Sequence, residues 1–179
     1  MRTILLLGPP GSGKTMKARA LAAGLPAPSG KEASELGLIF EAARLKPQDG
    51  APYRAPHHTV SEVGLVGGGT PVRPGEVSLA HCGCLMLDEL AEFRRQPIES
   101  LAEAIGSGEF RRAQSGATMI RFAARPALIV ATSNLCACGY LGSSRPCTCS
   151  PSSHGRWQTR LFQYASLLGI EEFESLPSS

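Results

Sequence analysis

An apolar run, Thr3-Ile4-Leu5-Leu6-Leu7, breaks at once into Gly8-Pro9-Pro10-Gly11-Ser12-Gly13-Lys14-Thr15. The segment fits G-x-x-x-x-G-K-[ST] at every fixed position, and few folds accommodate it. Glycines let backbone N–H groups turn inward around an anion that side chains would obstruct. A helix starting near Gly13 aims its unsatisfied N–H groups and positive dipole end at the same point. Lys14 is then suited to the β- and γ-phosphates of a nucleoside triphosphate, and the Thr15 hydroxyl to a magnesium ion. Gly8, Pro9, Pro10, Gly11, Ser12, Gly13, Lys14 and Thr15 are therefore the candidate ATP-binding residues. The competing reading is a chance glycine-rich turn. The apolar run before it and the helical pattern after it argue against that.

A second element fits the first. Leu85-Met86-Leu87-Asp88-Glu89 is an apolar strand that ends in two acids. Beside a phosphate-binding turn, Asp88 is expected to hold magnesium through water or the Thr15 shell, and Glu89 to polarise an attacking water. A strand that merely exits into a solvated acidic turn would look the same in isolation. Asn134 follows a further apolar run, residues 128–132, where an amide can orient that water. An Asn at a strand end is also a common turn residue. Lys14, Glu89 and Asn134 are the candidate catalytic groups.

The rest of the chain alternates short apolar runs with helical stretches. Strands are expected at residues 3–7, 84–87 and 128–132. Helices are expected at 13–24, with Met16, Ala20 and Ala23 along one face, at 31–46, at 96–105 and at 153–168. Residues 48–74, rich in Pro and Gly, read as irregular, and 134–150 as a Cys-rich loop. Residues 109–113 and 118–123 flank Gln114-Ser115-Gly116-Ala117 in a hairpin pattern. Residues 171–179 read as frayed. The alternation predicts an α/β fold, a three-layer core around a mostly parallel central sheet.

The 179 residues are enough for one domain with a real core. With 42% hydrophobic and 18% charged residues the chain is not disordered, and its net charge of +3 permits nucleic-acid contact without demanding it. No apolar run is long enough to span a membrane. The short apolar start lacks a cleavage-type segment, so a cytoplasmic location is expected, where thiols stay reduced. Cys136, Cys138, Cys147 and Cys149 then offer four thiolates that can close a tetrahedral zinc site. Their C-x-C spacing is tighter than usual, and a metal-free loop is the alternative. Cys84 reads as core and Cys82 as a buried small residue. His57 and His58, adjacent on an extended segment, are expected to point to opposite faces. Arg111, Arg112 and Arg121 make the hairpin basic, either as a DNA contact or as a solvated surface.

Further segments carry a family resemblance. Tyr53-Arg54-Ala55-Pro56-His57-His58-Thr59-Val60-Ser61 with Val66-Gly67-Gly68-Gly69 forms one signature. Pro74-Gly75-Glu76-Val77-Ser78-Leu79-Ala80-His81, running into residues 85–93, forms another, and the cysteine loop through Gly139-Tyr140-Leu141-Gly142 a third. Together they resemble the YifB/ComM family of magnesium-chelatase-like AAA+ ATPases, over residues 4–160. The resemblance implies an AAA+ core over residues 1–160, with residues 161–179 a divergent tail. It implies a homo-oligomeric ring, typically a hexamer, with ATP between neighbours. ComM-type members act on DNA as branch-migration helicases. The related magnesium chelatase subunit drives metal insertion into a porphyrin. A nucleotide-binding fragment that docks without turnover is the remaining alternative.

The departures bear on activity. Family members carry an N-terminal Lon-protease-like domain, then, after the cysteine loop, a Ser-Gly-Pro…Leu-Asp-Arg…Asp box with an arginine finger and a helical lid. Here the segment reads Arg160-Leu161-Phe162-Gln163-Tyr164-Ala165-Ser166 instead. Leu135 stands where the family has Pro, and residues 101–106 lack the usual Arg and Pro. The expectation is a chain truncated at both ends, without the lid, that binds nucleotide and hydrolyses it slowly or not at all.

Overall fold

The computed structural model describes residues 1–113 and 118–177, so the predicted hairpin tip at 114–117 lies outside the described residues. Five strands form the main sheet: β1 (Arg2–Leu7), β2 (Tyr53–Arg54), β5 (Cys84–Leu87), β8 (Leu128–Ser133) and β9 (Glu172–Ser175). Their spatial order is β2-β5-β8-β1-β9, and every pairing is parallel. Leu5 lies opposite Ala131 and Leu87 opposite the same residue from the other side, so β8 sits between the two site-bearing strands.

Side chains alternate across the strands and build two cores. Leu5, Leu85, Leu87, Ile129 and Ala131 face one way, onto α3 (Glu62–Val66), α4 (Glu76–Leu79), α5 (Arg95–Ser107) and α6 (Pro151–Leu167). Ile4, Leu6, Cys84, Met86, Leu128 and Val130 face the other way, onto α1 (Lys14–Ala23). Both faces are covered, which explains why the strands read as continuous apolar runs rather than alternating ones. α2 (Gly30–Ala43) packs Leu36, Ile39 and Phe40 beside Leu79, Phe122 and Ala123. The antiparallel pair β6 (Glu109–Ala113) and β7 (Met119–Ala123) forms the predicted hairpin, and β3 (Gly67–Gly68) pairs with β4 (Arg73–Pro74).

The three-layer α/β fold is as expected, with local differences. Residues 171–179 do not simply fray: β9 hydrogen-bonds to β1, with Ile4 opposite Glu172 and Leu7 opposite Ser175. Its alternation is weak and charged because it is an edge strand, held by Arg2–Glu172 and Lys17–Glu174 ion pairs. From residue 161 onward Leu161, Tyr164, Ala165, Leu168 and Ile170 are buried in the larger core. On α1 the Met16, Ala20 and Ala23 face points to solvent, while Ala18, Leu21 and Ala22 meet the sheet. The stretch 48–74 contains α3 and two short strand pairings. α2 ends at Ala43 because Arg44 turns left-handed (φ 59°) and donates back to Glu41 and Phe40 carbonyls. His57 and His58 do not diverge: a turn brings their rings within 4.0 Å of each other. Cys84 is core as expected, but Cys82 is only half-buried. No helix among the described residues is long and apolar enough to cross a membrane.

Candidate nucleotide site

The carboxyl ends of β1, β5 and β8 deliver the three sequence motifs to one crevice, as parallel α/β sheets do. The glycine turn leaves β1, Asp88 and Glu89 leave β5, and Asn134 leaves β8. A cavity of about 420 Å³ is lined by Pro10, Gly11, Ser12, Gly13, Lys14, Thr15, Met16, Asp88 and Glu89. Two larger clefts, about 540 and 570 Å³, contain none of these residues, so size does not locate the chemistry.

The turn has the backbone that an anion cradle needs. Gly11 and Gly13 both stand at φ +82°, a conformation that other residues adopt only with strain. Gly13 is also the residue from which α1 starts, so the first N–H groups of that helix face the turn. Ser12 Oγ is buried with no hydrogen-bond partner among the described residues. A buried hydroxyl without a partner is costly and fits a phosphate oxygen. Lys14 is buried, and its ammonium donates to Gly8 O at 2.8 Å, Pro9 O at 2.8 Å and Asn134 Oδ1 at 3.3 Å. Burial lowers its pKa, and Glu89 and Asp88 oppose that shift. Thr15 is exposed on the first turn of α1. The glycine conformations, the partnerless Ser12 hydroxyl, Lys14 and the nearby acids fit a nucleotide phosphate tail with magnesium.

The acids are braced from below. Thr132 is fully buried in β8, and its hydroxyl donates to Asp88 Oδ1 at 2.5 Å while accepting the Glu89 N–H at 3.1 Å. Glu89 itself sits at φ +57°, a left-handed residue turning the chain from β5 into the 3-10 turn Leu90–Glu92. Asn134 Nδ2 donates to both Glu89 oxygens, at 3.2 and 3.0 Å. Burial raises the Glu89 pKa, and the neighbouring Asp88 charge adds to the rise. Lys14 and the Asn134 amide oppose that rise.

Two contributors escaped the sequence reading. Thr132 was legible in principle, because a hydroxyl inside a wholly buried strand must find a partner. Trp157, whose indole N–H donates to Asn134 O at 3.0 Å, lies 23 residues away on α6 and gave no local signal. The cysteine loop does converge. Cys136, Cys138, Cys147 and Cys149 place their sulfurs within 4.8 Å of one another. The basic hairpin exposes Arg111, Arg112 and Arg121, with Arg111 directly across from Arg121 and paired to Glu109.

Comparisons with known proteins agree with this geometry. A family described as "Magnesium chelatase, subunit ChlI" matches residues 1–165. The YifB protein of Salmonella typhimurium is 41% identical over 162 residues, 88% of this chain and 31% of the relative. The competence protein ComM of Haemophilus influenzae is 43% identical over 132 residues, 72% of this chain and 26% of the relative. The chain thus spans about a third or less of the length of these relatives. Among solved structures, NtrX from Brucella abortus in complex with ADP shares the fold, at TM-score 0.55 and 19% identity over 98% of this chain and 32% of that one. NtrX without a named nucleotide superposes at TM-score 0.58 and 20% identity over the same 98% and 32% shares. The match over most of its length and the identity to YifB and ComM mean that this chain belongs to the YifB/ComM group of the magnesium chelatase subunit ChlI family, as a nucleotide-binding AAA+ module.

Proposed function

We propose that the chain binds ATP with magnesium at the glycine turn and couples ATP binding and hydrolysis to remodelling of DNA, including branch migration. The observation that carries the reading is the bridge from Lys14 through the Asn134 amide to Glu89. It ties the phosphate-holding cation to the carboxyl that would act on water.

Magnesium, when bound, would neutralise charge on the phosphate oxygens as the terminal phosphoryl group leaves. The chain's own residues do the rest. Backbone N–H groups from Gly11 to Thr15 and the Lys14 ammonium hold the phosphate oxygens. Thr15 and Asp88 are the magnesium-side oxygens, with Thr132 fixing the Asp88 carboxylate. Glu89, as a carboxylate, orients the attacking water and accepts its proton. Asn134 holds Glu89 in place. The likeness to ComM and the exposed arginines of the hairpin support DNA as the object of the cycle. The family supports a homo-oligomeric ring, a hexamer, in which neighbours complete each site. We assign the chain to the cytoplasm, where its six cysteines stay reduced.

Steady-state ATP hydrolysis with and without single-stranded DNA tests the reading. DNA-stimulated turnover that Lys14→Ala abolishes is expected. Stimulation by a porphyrin-chelating partner and not by DNA would instead favour a chelatase role. ATP binding without turnover would reduce the chain to a docking module. Equal ATP affinity in wild type and Lys14→Ala would overturn the site itself.

A further inference from the structure

The loop that follows Asn134 folds its four cysteines into one cluster. Cys136 Sγ lies 3.4 Å from Cys138 Sγ and 3.7 Å from Cys147 Sγ, and Cys138 Sγ lies 3.6 Å from Cys147 Sγ. All four cysteines are free thiols. Disulfide sulfurs would stand about 2.05 Å apart. A tetrahedral zinc ion with Zn–S bonds of about 2.3 Å has sulfur–sulfur edges of roughly 3.8 Å, close to the separations among Cys136, Cys138 and Cys147, and all four sulfurs lie within 4.8 Å of one another. A multi-iron cluster needs its sulfur ligands spread more widely around it. Cys136 is fully buried and the other three are half-buried, so one side of the cluster is anchored and the other is open to an entering ion. Backbone amides already turn toward the sulfurs: Cys138 N–H donates to Cys149 Sγ at 3.3 Å and Leu141 N–H to Cys136 Sγ at 3.4 Å. Such bonds favour the charged thiolate and orient it.

The cluster also touches the nucleotide site. Gly139, at φ +80°, lies so near the glycine turn that a Cβ there would stand 3.4 Å from Pro10 Cγ and 3.6 Å from Asn134 Nδ2. Gly142, at φ +83°, packs against Leu135 and toward Pro9. Asn134 itself is two residues before the first sulfur ligand and joins Lys14 to Glu89.

We propose that Cys136, Cys138, Cys147 and Cys149 bind one zinc ion and that this ion clamps the loop onto Pro9–Pro10 and Asn134, so that zinc and nucleotide bind cooperatively. Binding the metal displaces the thiol protons to solvent and forms four Zn–S bonds, with no change of oxidation state. The loop cannot hold its place over the turn by apolar packing, since Cys136 is its one fully buried apolar side chain and Leu135 is only half-buried. The metal supplies the missing order. The coupling rests on the nucleotide reading of the glycine turn, whereas the metal site stands without it.

The test begins with the zinc content of the purified full chain and with cobalt substitution. About one zinc per chain and the visible absorption of a tetrahedral cobalt tetrathiolate are expected. A fluorescent ADP is then titrated into the zinc-loaded and the chelator-stripped chain. Zinc loss is expected to weaken ADP by about fivefold or more, and linkage requires ADP to tighten zinc by the same factor. Cys149→Ser should reproduce the loss of both, and Cys149→His, which restores a ligand, should recover them. If Cys149→Ser does not fold, the two reciprocal titrations on the wild-type chain still decide. A folded chain that holds no zinc, or a disulfide in place of free thiols under reducing conditions, overturns the metal site. Zinc bound with an unchanged ADP affinity overturns the coupling. Zinc bound with no nucleotide binding at all sinks the nucleotide reading and the coupling together, and leaves the metal site standing.

Discussion

The amide of Asn134 donates to both carboxylate oxygens of Glu89, at 3.2 and 3.0 Å, while its own oxygen accepts from the Lys14 ammonium at 3.3 Å. One side chain therefore reports the state of the phosphate-holding lysine to the carboxyl. Two roles separate by mutation. Asn134→Ala removes the brace but leaves Lys14 its two backbone acceptors, Gly8 O and Pro9 O. Nucleotide affinity should change little, while turnover should fall by about 10²-fold, the scale of a mispositioned general base. Loss of affinity with intact turnover would contradict the assignment.

Thr132 is the hidden support of the acids. Thr132→Val is nearly isosteric, yet it removes the hydroxyl shared by Asp88 and the Glu89 N–H. A fully buried polar group left without a partner costs about 1–3 kcal/mol, and the half-buried Asp88 and Glu89 place the loss at the low end of that range. Thermal melting should show a loss of roughly 2–4 °C per kcal/mol for a chain of this size. Magnesium-dependent nucleotide affinity should weaken as well, because the Asp88 carboxylate loses its fixed rotamer. Thr132→Ser should restore both. A Val variant as stable as wild type would mean that Asp88 and Glu89 find other partners.

The difference between what was legible and what was not follows the range of the interactions. Lys14, Asp88, Glu89 and Asn134 each end or follow a buried strand, so local pattern alone located them and the parallel sheet then brought them together. β9 escaped because an edge strand of Glu172-Phe173-Glu174-Ser175 has no buried face to advertise; its partners, Arg2 and Lys17, lie more than 150 residues away. The Met16 face of α1 misled for a related reason. Its apolar residues are small or sparse, and the side that meets the sheet is set by Ala18 and Leu21, not by the longest side chain. His57 and His58 failed on backbone geometry: the extended segment assumed for them turns at His58.

Glu89 gives the chain a pH signature. Burial and the adjacent Asp88 charge raise its pKa above the ordinary glutamate value. The folded chain therefore holds this proton more tightly than the unfolded chain does. Its contribution to stability is present below the unfolded pKa and is lost as pH rises through the folded one. Denaturant midpoints of wild type relative to Glu89→Gln should thus decline over that window and level off above it. Turnover should run the other way, since Glu89 must be ionised to accept a proton. The acid limb of the rate profile should be shifted upward from the ordinary glutamate value. A profile with its limb at the ordinary glutamate value would remove Glu89 from the proton-accepting role.

The edge strand and the glycine turn meet at Gly8. A Cβ added there would stand 2.6 Å from Leu176 O and 2.7 Å from Ser12 Oγ. The first of these is backbone, and its residue is tied back to the strand end by Leu176 N–H donating to Leu7 O at 2.7 Å. Gly8→Ala must therefore push either β9 or the turn out of place. The two responses are distinguishable. If β9 yields, amide exchange in residues 172–176 should speed up while nucleotide still binds, because an edge strand held by ion pairs is the weaker element. If the turn yields, nucleotide affinity should collapse with β9 still protected. The first outcome is expected, since the turn is fixed by two hydrogen bonds from a buried Lys14 to its Gly8 and Pro9 carbonyls, by the anchoring of Lys14 to Asn134, and by the start of α1. Unchanged exchange together with unchanged affinity would show that β9 does not close over Gly8 in solution.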